Sequence, residues 1–220
     1  MREWQVGDPI GDGNDIGVPD VPYMDYLKKH DYGKTDRRSR NVSKSELFLE
    51  EALRLKGEGK FYDALAFINA AITYNPGLCE NWNVRGIILW NIYENDNYDV
   101  AFEATDSFTR ALEIEPQNRT VANNKAKFLT LWAMREYGAE NFGFAEAKAD
   151  EALATFKDKK NYTYAMALFV KARIFRQQCE HDKAIEYYDR VLELYPDDEG
   201  VKKEKYEILG QFAIPSRDGW

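Results

Sequence analysis

The chain has 220 residues, of which 30 are Lys or Arg and 38 are Asp or Glu, so its formal net charge is -8 at pH 7. Hydrophobic residues make up 44% of the sequence, which is enough to build a buried core and excludes a largely disordered chain. The acidic balance disfavours non-specific binding to nucleic acid. No apolar run approaches the ~18 residues that a membrane-spanning helix needs.

Residues 1–42 are predicted to form an extended N-terminal arm, because Gly, Pro, Asn and Asp are concentrated between residues 7 and 20. Acidic residues dominate the first part of this arm and basic residues the second. A short helix is expected near residues 22–30, where Pro22 precedes Tyr23, Tyr26 and Leu27 at helical spacing. Met1 is followed by polar sequence instead of the apolar stretch of a signal peptide, which predicts a cytoplasmic protein.

From about residue 45 onward the pattern is helical, and one spacing recurs along the chain. Small or branched apolar residues lie seven positions apart, and in three cases a proline follows. The recurring sets are Ala64, Ala71 and Pro76; Ala104, Ala111 and Pro116; Ala145 and Ala152; and Ala184, Val191 and Pro196. Self-similarity of this kind indicates a repeat architecture.

The second copy carries the fullest motif, with Trp82, Gly86 and Leu89 followed by Ala104 and Phe108. This pattern resembles the tetratricopeptide repeat family, a 34-residue helix-turn-helix unit. Arg85 stands where the family has leucine. The resemblance implies an all-α fold, a right-handed superhelix of about four helical hairpins with a C-terminal capping helix.

We predict an array over residues 43–212, with copies at 45–78, 79–118, 119–164 and 165–198, a cap at 199–212 and a C-terminal tail at 213–220. The two central copies are longer than the family's unit. In the third copy we expect the extra residues to add about one turn to each helix. The lengthened hairpins should bring together the aromatic residues Tyr93, Tyr98, Trp132, Tyr137, Phe142 and Phe144.

Residues that carry catalysis or bind metals are scarce. Both histidines, His30 and His181, lack a neighbour at metal-ligand spacing, and Cys79 and Cys179 are too few for a disulfide framework. The stretch 12–17 loosely resembles a calcium loop, but Tyr23 stands where such a loop needs a bidentate Glu. The sequence therefore predicts a protein that is not an enzyme and has neither cofactor nor metal.

In the tetratricopeptide family the first helix of each hairpin lines the concave side, and the resemblance transfers that role to particular positions here. They combine apolar, amide and cationic side chains, which is typical of an interaction surface. The predicted peptide-binding residues are Leu49, Leu53, Asn83, Ile87, Trp90, Asn123, Lys127, Leu131, Phe169, Arg173 and Arg176. The alternative is that the enlarged copies bury some of them as ordinary core.

The sequence thus predicts a scaffold or adaptor that binds a protein or peptide segment, with no nucleic-acid or membrane partner. The Lys and Asn positions with which related domains hold chaperone C-termini carry Leu49, Leu53, Val84, Thr120 and Asn124, so that specialisation is not expected. The acidic part of the arm is a candidate intramolecular occupant of the cationic groove. The alternative function is an accessory or regulatory subunit of a larger enzyme complex, attached through the arm and the tail.

Overall fold

The computed structural model describes residues 37–95 and 98–212, and side chains within residues 44–95 and 98–210. The predicted helix near 22–30, the predicted tail and any docking of residues 1–36 lie outside this part of the chain. Within it the helices are α1 Arg37–Gly57, α2 Phe61–Tyr74, α3 Cys79–Glu94, a 3₁₀ turn Tyr98–Val100, α4 Ala101–Ile114, α5 Arg119–Gly138, α6 Phe142–Thr155, α7 Tyr162–Gln177, α8 His181–Leu194 and α9 Glu199–Phe212. The described residues contain no strand, which confirms the predicted all-α helical-repeat class.

The chain divides into two compact units, Met1–Asn75 and Pro76–Trp220. In the first unit α1 and α2 form one hairpin. Its core contains Phe48, Ala52 and Ile68, all fully buried, and the ring of Phe48 stacks on Tyr74 at a centroid distance of 5.5 Å. The Ser45 hydroxyl donates to the Ala71 carbonyl at 2.9 Å, so its buried polar group is satisfied. α1 begins at Arg37, within the stretch predicted as arm.

The second unit contains three hairpins, α3–α4, α5–α6 and α7–α8, followed by α9 against α8. First helices contact the first helix of the next hairpin, α3 with α5 and α5 with α7. Second helices instead contact the following first helix, α4 with α5 and α6 with α7. The first helices of the second unit therefore form a continuous row.

Small residues allow the two helices of each hairpin to approach closely. Ala104, Ala111 and Ala152 are fully buried, as the repeat spacing predicts. A Cβ atom built on Gly86 in α3 would lie 2.7 Å from Cε1 of Phe108 in α4. Because that distance is well inside van der Waals contact, only glycine fits at this crossing of helices.

Arg85, the residue that departs from the family pattern, joins the same two helices. Its guanidinium donates to the Ser107 hydroxyl at 2.6 Å and pairs with the Glu103 carboxylate at 2.7 Å. A charged side chain here spans the surface of the hairpin with its end paired, and its stem covers apolar surface as leucine would.

The expected extra turn on each helix of the third copy is wrong. α5 has 20 residues, but α6 has 14, the same length as α2, α4 and α8. α6 ends at Thr155 because the Asn123 side chain accepts the next two free backbone N–H groups, those of Lys157 and Asp158. Phe156 is buried at this point and its ring meets Tyr164 edge-on. The hydrogen bonds to Asn123 and the burial of Phe156 thus end α6.

Three of the turns within hairpins share one backbone geometry. In each, the backbone N–H of the residue just before the second helix donates to the carbonyl oxygen five residues earlier. The residue immediately before each of these donors adopts a left-handed conformation: Gly59 at φ 76°, Glu140 at φ 62° and Cys179 at φ 59°. Glycine adopts this conformation without the steric cost that a Cβ imposes. The turns at Glu140 and Cys179 therefore store strain.

We expect Cys179→Gly to raise the free energy of unfolding by about 0.5–1 kcal/mol, because relief of the left-handed strain outweighs the added freedom of the unfolded chain. Cys179 is exposed, so little packing is lost. Urea denaturation followed by circular dichroism measures the change. Cys179→Ala removes the same thiol but keeps the strain, and it should leave the stability unchanged. A stabilisation by Ala equal to that by Gly would contradict the strain argument.

Candidate functional site

The predicted groove residues occupy first helices in both units. In the first unit Leu49 of α1 is buried, with 7% of its surface exposed, whereas Leu53 is 37% exposed. The others lie on α3, α5 and α7 of the second unit. There Ile87, Trp90, Leu131 and Phe169 are all half-buried, so they are neither ordinary core nor freely solvated.

The two predicted amides are occupied within the protein. The Asn83 side-chain oxygen accepts from the Asn124 amide at 3.1 Å, which ties α3 to α5. Asn123 holds the loop after α6, with its oxygen 3.1 Å from the Lys157 nitrogen. Both amides therefore position neighbouring elements of the array.

Two of the three predicted cations are paired with the C-terminal helix. Arg176 contacts the carboxylates of Glu207 at 2.9 Å and Glu204 at 3.5 Å, and Arg173 reaches Glu204 at 3.5 Å. The Tyr188 hydroxyl also donates to Glu204, at 2.7 Å; its burial and the adjacent carboxylate raise the pKa of this phenol. α9 thus neutralises the end of the surface that we predicted to be cationic.

Lys127 is the remaining predicted cation. It is half-buried on α5, and no ion pair joins it to another residue in the described part of the chain. Nearby in sequence, Lys125 is different, because it pairs with Glu151 at 3.1 Å. A positive charge at Lys127 is therefore available to a ligand.

Trp90 in α3 combines an apolar face with an unused donor. Its ring lies 6.2 Å from that of Phe128, and its indole N–H is buried with no acceptor among the described residues. Buried Trp N–H groups usually find a partner. Further along the row, a pocket of about 250 Å³ forms beside Met134, Tyr162, Met166 and Phe169. Sequence reasoning did not include Met134 or Tyr162, because neither occupies a family groove position.

A larger cleft of about 980 Å³ opens at the turns of the α3–α4 and α5–α6 hairpins. Its aromatic lining is Tyr93, Tyr98, Phe102, Trp132, Phe142 and Phe144. Five of the six predicted aromatic residues line this cleft, whereas Tyr137 does not and packs against Phe142 instead. The ring contacts run through residues that the sequence did not single out: Phe128 meets Tyr93 at 5.3 Å, and Phe102 meets Trp132 at 4.9 Å. Burial raises the pKa of Tyr93 to about 12, so its hydroxyl stays neutral at physiological pH.

Two cations already lie against rings of this cleft. The Arg135 guanidinium is 4.9 Å from the centroids of both Tyr93 and Tyr98. The Lys148 ammonium lies 4.8 Å from the centroid of Trp132 and pairs with Glu151. The electron-rich faces of these rings therefore attract positive charge.

Three further features of the described part of the chain concern metal binding, membrane spanning and thiol reactivity. No group of His, Cys, Asp or Glu side chains there is arranged to hold a metal ion. None of its helices is long and apolar enough to cross a bilayer. Burial raises the pKa of the Cys79 thiol, and this favours the unreactive protonated form.

Comparison with known families decides the classification. Residues 165–198 match the family model of the tetratricopeptide repeat. Residues 165–198 are therefore a tetratricopeptide repeat. The matched stretch is the one predicted from the sequence as the fourth copy, and it contains most of α7 and all of α8. No curated protein matches the sequence.

Solved structures similar to this chain support the fold. A fragment of MamA, residues 41 to the end, from Desulfovibrio magneticus RS-1 has a TM-score of 0.52 and 15% identity, covering 77% of this chain and 85% of that one. A second MamA structure has a TM-score of 0.50 and 16% identity, covering 77% of this chain and 88% of that one. At such identities the likeness concerns the fold alone.

Proposed function

We propose that this protein is a non-enzymatic adaptor that holds a segment of a partner protein on the first-helix row of its second unit. The observation that carries the proposal is the combination of half-buried apolar side chains at Ile87, Trp90 and Leu131 with the unpaired Lys127. Partly exposed Trp and Leu side chains supply apolar contact, and an accessible cation supplies orientation.

The pairing of Arg173 and Arg176 with α9 reduces the part of the first-helix row that can bind an acidic group of a partner. Because Glu204 and Glu207 already neutralise these two arginines, a partner carboxylate placed there would compete with an internal one. A single acidic group on the partner is accommodated at Lys127 instead. We therefore expect a mainly apolar segment with one carboxylate to bind α3 and α5.

The experiment is quantitative affinity capture from the native cell with three full-length forms: wild type, Lys127→Glu combined with Leu131→Ser, and Arg110→Glu. Arg110 is an exposed cation on the second helix α4 and serves as the matched control. Loss of one apolar anchor and reversal of one charge should each cost about 1–3 kcal/mol of binding, or about tenfold or more in Kd. Proteins that depend on the first-helix row should be lost from the double variant and retained by Arg110→Glu.

Circular dichroism must show that the double variant remains helical. Retention of the same partners by the folded double variant would refute binding on this row. A fourth form that lacks residues 1–36 leaves α1 intact. If that deletion alone removes every partner, attachment through the arm, as in an accessory subunit, replaces the adaptor proposal.

A further inference from the structure

The aromatic cleft at the hairpin turns includes none of the proposed groove residues Ile87, Trp90, Lys127 and Leu131, and it is open to solvent. Phe102 is 66% exposed, Tyr98 is 52% exposed and Phe144 is 39% exposed. Three large aromatic side chains exposed around one cleft form a patch of the kind that marks interaction sites. The rings are also fixed, since Phe102, Trp132 and Phe144 contact one another with centroid distances of 4.9, 5.3 and 6.5 Å.

A carboxylate is held in the wall of this cleft by two neutral donors. One oxygen of Glu136 accepts the Trp132 indole N–H at 3.0 Å, and the other accepts the Asn141 side-chain amide at 2.8 Å. Neither donor neutralises the negative charge, and no ion pair joins Glu136 to another described residue. The group is half-buried, fixed in direction, and retains lone pairs for a further hydrogen bond.

A second carboxylate, Glu140, lines the cleft beside it. No ion pair within the described residues includes Glu140 either. Among the described lining residues the cation is Arg135, which lies against Tyr93 and Tyr98. The described lining therefore carries two carboxylates, Glu136 and Glu140, against the single positive charge of Arg135.

We propose that this cleft is a second docking site, which takes an arginine or lysine of a partner protein segment together with a flanking apolar side chain. The cationic head bonds the fixed Glu136 carboxylate and lies against exposed ring surface, and the apolar neighbour packs on Phe102 and Tyr98. Charge complementarity selects this occupant, because ring faces and carboxylates both favour a cation. The intramolecular contacts of Arg135 and Lys148 show the same pairing of cations with these rings.

One feature of the cleft favours the opposite charge. α6 begins at Phe142, and its N-cap Asn141 makes no side-chain cap hydrogen bond, so N–H groups of its first turn are free to bind an anion. Arg135 lies in the same lining. An acidic segment is therefore the rival occupant, and the experiment includes it.

The test uses NMR of the full-length protein with three short peptides blocked at both ends. One has arginine between two leucines, the second has the neutral isostere citrulline in place of arginine, and the third has glutamate. The Trp132 indole and Asn141 amide N–H signals report on the cleft directly, because both groups donate to Glu136. Spectra of Trp132→Phe and Asn141→Asp assign these signals.

The arginine peptide should shift both signals saturably and bind about tenfold more tightly than the citrulline peptide, since a hydrogen bond between charged groups is worth about that factor. Glu136→Gln should abolish the difference between these two peptides. Phe102→Ala, which removes an exposed ring, should weaken both peptides and keep their ratio. The matched control Glu113→Gln removes an exposed carboxylate of α4 and should change nothing.

Equal binding of the arginine and citrulline peptides would overturn the proposal, as would tighter binding of glutamate or the absence of any shift with all three. If Glu136→Gln does not fold, the comparison of the peptides on the wild-type protein and the Phe102→Ala variant still test the proposal. Because Lys127 and Leu131 are not in this cleft, the double variant at those positions should bind the arginine peptide normally. Failure here therefore leaves the proposed function on the first-helix row untouched.

Discussion

Phe108→Ala is expected to lower the free energy of unfolding by about 3–5 kcal/mol, the range for removing a large aromatic side chain from a core. Phe108 is fully buried in α4, packed against Gly86 of α3, with its ring 6.4 Å from that of Phe128 in α5. The substitution opens a cavity where two hairpins meet. The neighbouring Phe128 ring also contacts Trp90, Tyr93 and Trp132, so it cannot move into the space at low cost.

Urea denaturation monitored by circular dichroism measures this loss. The matched control is Tyr206→Ala in α9, an aromatic truncation at a position that is 65% exposed, and its effect should be no more than about 0.5 kcal/mol. Similar losses from both substitutions would show that Phe108 is not a core residue. The register assigned to the second copy would then be wrong.

Much of the core is predictable because repeat spacing and burial have the same cause. A small residue followed four positions later by an aromatic one, as in Ala104 and Phe108, marks the face on which two helices cross. Both residues are fully buried. Gly86 belongs to the same pattern, and its lack of a Cβ is explained by the Phe108 ring.

The electrostatics of the candidate site are not predictable in this way. Arg173 and Arg176 occupy groove positions by family spacing, yet α9 supplies Glu204 and Glu207 to pair with them. Which face a terminal helix turns toward the array depends on the packing of Val201 and Ile208, both buried, and not on local sequence. Only Lys127 keeps the free charge that the prediction gave to all three cations.

Lys171 shows that ion pairs within the core are also not predictable from the sequence pattern. It is only 3% exposed, and its ammonium pairs with Glu146 at 2.9 Å and Asp150 at 3.0 Å from α6. Burial alone would lower the pKa of Lys171, but the two hydrogen-bonded carboxylates outweigh it and raise the pKa. In turn, the hydrogen bond from Lys171 lowers the pKa of Glu146. The partners are more than 20 residues away in sequence, so no local pattern predicts a buried lysine here.

The sequence also predicted five of the aromatic residues of the cleft, but it included Tyr137, which lies outside the lining, and it missed Phe102. Trp132, Phe142 and Phe144 were expected as packing between lengthened hairpins, and most of that length lies in α5 alone. With α6 at ordinary length, the end of α5 and the turn at Glu140 border an open cleft. The exposure of Phe102 and the fixed position of Glu136 follow from this three-dimensional arrangement. The spacing of residues in the sequence does not predict it.

Gly86→Ala is expected to lower the free energy of unfolding by about 1–3 kcal/mol, as overpacking of a core does. The direction is informative, since at an unhindered helix position the same substitution stabilises by about 1 kcal/mol through helix propensity. The new Cβ would lie 2.7–2.8 Å from three atoms of the Phe108 ring. Either the ring must leave its position or α3 and α4 must move apart.

A double-mutant cycle with Phe108→Leu isolates this clash. Leucine lacks the ring atoms that meet the new Cβ, so Gly86→Ala should cost much less in the Phe108→Leu background, with a coupling of about 1–3 kcal/mol between the two sites. Gly210→Ala in α9 is the control, because its Cβ would meet nothing within 4 Å, and it should stabilise slightly or have no effect. Additive effects of the two substitutions in α3 and α4 would mean that the helices do not cross at Gly86. A measured coupling instead establishes the close approach on which the packing of the second copy depends.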